Sequence, residues 1–78
     1  MARSAQQWLD SYAAELGISP PTAAELDQLL ELARIAAHAS ERAAAPITCW
    51  LAARAGATPA GALAAGRRLA GEASEGDG

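Results

Sequence analysis

The sequence predicts an all-α fold, a small domain of four helices arranged as an antiparallel bundle or an orthogonal cluster. Three observations carry this. Apolar residues recur at spacings of three and four through most of the chain, and no alternating strand pattern interrupts them. Ser4, Thr22 and Thr58 each stand where a helix would open, as capping residues do. Pro20, Pro21, Pro46 and Pro59 fall at the joints between the periodic segments. The joints are short, which favours packing between neighbouring helices.

The first helix is expected over 4–16. Ser4 and Gln7 have capping-box spacing, which satisfies two N–H groups that the helix cannot. Ala5, Trp8, Leu9, Tyr12, Ala13 and Leu16 share one arc at 100° per residue. Gly17 suits the left-handed position after a helix, and Ile18 is expected to fold back as the apolar contact behind it.

The second helix, 22–42, is the longest and should be the spine of the fold. Thr22 and Glu25 form its capping box. Its apolar arc holds Leu26, Leu29, Leu30, Leu32, Ala33, Ala36, Ala37 and Ser40, with Ile35 beside the polar stripe as a misfit. A joint at 43–46 follows, because proline disfavours helical geometry in the residue before it. The third helix is then 46–55, with Ile47, Trp50, Leu51 and Arg54 on one face. Thr58 and Pro59 open the fourth, 58–73, as cap and first helical residue. Its residues Ala62, Gly66 and Ala70 lie four apart, so another helix can approach closely there. The acidic, glycine-rich end at 71–78 is expected to fray.

Residues 1–78 make one domain, and so short a chain buries only about 60% of its unfolded surface. Hydrophobic residues are 51% of it, but much of that is alanine, and there is no Phe. Association, including a homodimer, is one route to stability for so thin a core. The net charge is −3 and all six basic residues are scattered arginines, which argues against a nucleic-acid surface. No apolar run approaches the roughly 18–20 residues needed to span a bilayer. No signal-peptide pattern follows Met1. The lone Cys49 forms no internal disulfide, which suits a reducing cytoplasm.

Few residues offer chemistry. His38 lies one helical turn from Arg34 and from Arg42 and three residues from Glu41, so two guanidiniums beside an imidazole make an anion site conceivable. The plainer reading is a solvated helix face with pairs such as Glu31–Arg34, or a His38 that anchors the following joint. One His without a second soft ligand makes no zinc site, so neither metal nor cofactor is expected. Cys49 reads as a small buried hydrophobe rather than a nucleophile. Trp8 and Trp50 read as core anchors, with Pro46, around the central joint. Arg54 is expected to snorkel or to pair with an acid such as Glu41.

The run His38-Ala39-Ser40-Glu41-Arg42-Ala43-Ala44-Ala45-Pro46-Ile47, with Trp8-Leu9 and Leu29-Leu30-Glu31-Leu32-Ala33, resembles a small helical domain of unknown function from high-GC bacteria. That domain occurs alone or fused behind a molybdenum cofactor guanylyltransferase domain. The resemblance covers about residues 5–72, and its motif residues map onto His38, Glu41, Arg42 and Pro46. It implies an accessory role in molybdopterin guanine dinucleotide biosynthesis, with a guanylyltransferase domain or an anionic pterin or nucleotide as partner. Nucleotidyl transfer itself is not expected, since no glycine-rich nucleotide loop on an α/β domain is present. The alternative is a helical interaction or self-association module unrelated to the cofactor, and an enzyme using Cys49 or His38 is the least favoured reading.

Overall fold

Four helices form: α1 at Ala5–Leu16, α2 at Ala23–Ala39, α3 at Ala44–Arg54 and α4 at Pro59–Ala70. The computed structural model describes residues 4–71, and no strand occurs among them. α4 ends at Ala70 rather than 73, because Gly71 turns left-handed at φ +83° and caps it, and the rest of the fraying expected over 71–78 lies outside the described residues.

The caps form as their residues dictate. The Ser4 hydroxyl accepts from the Gln7 N–H at 3.1 Å, and Gln7 Oε1 accepts from the Ser4 N–H at 2.8 Å. Thr22 and Glu25 repeat the exchange at 3.1 and 2.9 Å. Thr58 accepts from the Gly61 N–H at 3.1 Å, with Pro59 in the first helical position where no N–H is missed. α1 ends on Gly17 at φ +75°, and the Ile18 N–H reaches the Ala13 carbonyl at 3.0 Å. The backbone of Ile18 therefore closes the cap, but its side chain stays exposed instead of folding back.

The central joint lies earlier than expected. α2 stops at Ala39, Ser40 leaves helical geometry at φ −135° and ψ −101°, and α3 begins two residues before Pro46. The Ala44 and Ala45 N–H groups bond the Glu41 and Arg42 carbonyls at 2.9 and 3.1 Å, so the chain is already turning when it reaches Pro46. Pro46 sits third in the helix, where its absent N–H would have had no helical partner. First-turn tolerance thus outweighs the restriction that proline places on Ala45.

α2 is the spine, packing on α4 and α3, while α3 and α4 touch each other only briefly. Among the described residues α1 packs on none of the other helices. The radius of gyration, 13.7 Å, exceeds the roughly 11–12 Å of a compact chain this long.

Leu32 and Ile35, each 2% exposed, are the largest buried side chains and share the interior with Ala62, while Ala13 is buried on α1, which packs on no other described helix. Gly66 lets α4 come close, since a Cβ there would lie 2.6 Å from Leu32 Cδ1. The small-residue face expected on the fourth helix is thus the one applied to α2.

Three expectations about large side chains are corrected. The buried face of α2 is rotated toward Ile35, and Leu30 is 59% exposed. Two helices clasp α2, so its covered arc is wider than the leucines alone trace. α3 turns Ala44, Ala45, Thr48, Cys49 and Ala52 inward, and leaves Ile47, Trp50 and Leu51 more than half exposed. Trp8 and Trp50, expected as core anchors, are 54% and 57% exposed. Trp8 lies on α1, which no other described helix covers, and Trp50 lies on the exposed side of α3.

Candidate functional site

The residues singled out around His38 do not converge on a cavity. His38 occupies the last turn of α2 and is exposed, as are Glu41 and Arg42 in the turn after it. Arg34 is engaged with Glu31: its Nε donates to Oε1 at 3.1 Å and its Nη2 to Oε2 at 2.6 Å. Arg67 of α4 approaches the same carboxylate at 4.0 Å. The Arg34 hydrogen bond holds the Glu31 carboxyl below its ordinary range, helped by the charges of Arg34 and Arg67 and opposed by partial desolvation. Arg34 is therefore forked onto an acid of its own helix, and the longer Arg67 contact is the one that reaches that acid from α4. None of the cavities described below is lined by Arg34, His38, Glu41 or Arg42.

Cys49 is half-buried on α3, and desolvation pushes its thiol up, away from the reactive thiolate. Among the described residues no group of three or more His, Cys, Asp or Glu is placed to hold a metal ion. No helix there is long and apolar enough to cross a membrane.

Apolar features dominate instead. Between α2, α3 and α4 lies a cavity of about 320 Å³ floored by Leu32 and Ile35 and edged by Ser40, Thr48, Gly66 and Leu69. A second, of about 300 Å³, runs on between α3 and α4 past Leu51, Ala52, Ala62 and Ala65. Both are lined by Leu32, Thr48, Gly66 and Leu69, so they form one continuous groove. Leu69 stands on its rim with 91% of its surface exposed.

Two aromatic features lie outside the groove. The Arg54 guanidinium sits 5.2 Å from the Trp50 ring centroid. Of the expectations for Arg54, its place over an indole fits a side chain that snorkels along apolar surface rather than one paired with Glu41. On α1, Trp8 and Tyr12 stack with ring centroids 6.1 Å apart and planes at 14°.

The groove escaped sequence reasoning because it depends on how far apart α3 and α4 stand. Its one signal was the shortage of bulky side chains. Three helices meeting mostly through alanine and glycine leave a furrow where a fourth element's large residues would go.

Fold and surface together define a small all-α domain whose candidate site is an apolar groove rather than a polar reaction centre. The chain belongs to the domain of unknown function DUF6457, which it matches over residues 1–76. No curated protein and no solved structure matches it.

Proposed function

We infer that this chain is a non-catalytic accessory module that acts by docking against another protein. One observation carries the reading: its large apolar side chains lie outside. Tyr12, Leu16, Ile47, Trp50, Leu51 and Leu69 are each more than half exposed, while the interior is closed by two large residues and alanines. Large apolar side chains exposed in this number mark contact with a partner.

The resemblance to domains of high-GC bacteria fused behind guanylyltransferases supplies the partner class. It is a guanylyltransferase domain of molybdenum cofactor biosynthesis, met in the cytoplasm. An anionic pterin or nucleotide held at Arg34, His38 and Arg42 is less favoured, because Arg34 is already forked onto Glu31. Self-association without any link to the cofactor is the second reading, and the groove favours it.

Calorimetric titration with a purified guanylyltransferase domain tests the first reading, with GTP and a pterin phosphate titrated separately. Saturable heat with the domain, lost in Trp50→Asp, is expected, and none with either small molecule. Heat from the small molecules alone would return the site to His38, and silence from all three would remove the cofactor link.

A further inference from the structure

The groove between α3 and α4 has a counterpart within the same chain. Trp8, Tyr12 and Leu16 recur every fourth residue and form one stripe along α1, each about half exposed. At 1.5 Å per residue α1 is about 18 Å long, and the two helices that wall the groove are about the same length. The stripe is convex and bulky, whereas the groove is concave and lined largely by Ala, Gly and Thr.

Charge matches as well. α1 carries Asp10 and Glu15 and no base, while α3 and α4 carry Arg54, Arg67 and Arg68 and no acid. Helical geometry places Glu15 beside the stripe and Arg54 and Arg68 on the two outer flanks of the groove. A like-signed pair would repel here, and this pair attracts.

The connection between α1 and α2 favours an occupant from another molecule. It spans 17–22, opens on the left-handed Gly17 and closes on Pro20-Pro21, whose rings fix two successive φ angles. Pro20 and Pro21 stiffen the end of this joint, and α1 packs on no helix of its own α2–α4 unit. Reciprocal exchange resolves both faces at once, because a twofold axis that seats one α1 seats the other equivalently.

We propose that a second copy of this chain covers the groove, with α1 of each protomer lying between α3 and α4 of the other and Tyr12 and Leu16 over Leu32. The proposal rests on the docking reading and names what occupies the groove when no other partner is present.

Sedimentation equilibrium of the full chain tests it. The expected mass is twice 7.9 kDa. Tyr12→Glu and Leu69→Glu alter exposed side chains, so each should keep its helical circular dichroism. Each should weaken the dimer about a hundredfold, because the substitution recurs in both copies of the contact and roughly tenfold is lost at each. A monomer at all concentrations would overturn the proposal. So would a Leu69→Glu variant that dimerises like the parent, which would mean that α1 pairs with α1. Either result leaves the docking reading to be judged by the guanylyltransferase titration, where a monomer that binds the domain keeps it.

Discussion

Leu32 and Gly66 meet so closely that α2 and α4 depend on the absence of a side chain at 66. A Cβ there would lie 2.6 Å from Leu32 Cδ1, so the 2% exposed Leu32 side chain has to shift to admit one. Gly66→Ala gains about 1 kcal/mol of helix propensity but overpacks the contact by about 1–3 kcal/mol. The expected result in urea denaturation is a net loss of about 1 kcal/mol. Leu32→Ala alone should cost about 2–5 kcal/mol. The double variant should lose less than the sum, because the new methyl enters the space that Leu32 vacates.

The inverted placement of large side chains has its own test. Ile35→Ala removes a side chain that is 2% exposed and should cost about 2–5 kcal/mol. Trp50→Ala removes a larger one that is 57% exposed and lies under Arg54, so about 1 kcal/mol is expected. A core indole would cost about 3–5 kcal/mol, and thermal or urea midpoints separate the cases.

Glu31 gives the fold a pH dependence of known sign. Its carboxyl is lowered in the folded chain, chiefly by the Arg34 hydrogen bond. Its contribution is thus fully present above the ordinary glutamate range and is lost as pH falls through the folded value. Stability should decline on acidification below that range, and Glu31→Gln should flatten this part of the profile. The group is exposed, so added salt should shrink the effect.

Cys49 should react slowly. Burial pushes its thiol up, so iodoacetamide alkylation at mildly alkaline pH should be slower in the folded chain than in urea. Its pH profile should shift upward. Faster reaction in the folded state would revive a nucleophilic role.

Local signals were the legible part of this molecule. Ser4, Thr22 and Thr58 announced three helix starts because a capping bond is made within four residues of chain. The Ala62–Gly66 spacing announced a close helix approach for the same local reason. The central joint moved because two tendencies competed at Pro46, and the i→i+3 bonds from Ala44 and Ala45 decided between them. Ile35 and Trp50 were misplaced because burial depends on which helices clasp which faces. Periodicity within α2 or α3 alone does not carry that information. The groove was invisible for a further reason: it is made of residues with almost no side chain, on two helices whose separation is set by a third.

The seating of α1 in a second copy is tested most directly by isotope-filtered NMR on a mixture of labelled and unlabelled chains. Cross-peaks between the Tyr12 ring of one copy and the Leu51 or Leu69 methyls of the other are the expected result. Their absence, or their appearance only within a single chain, would contradict it.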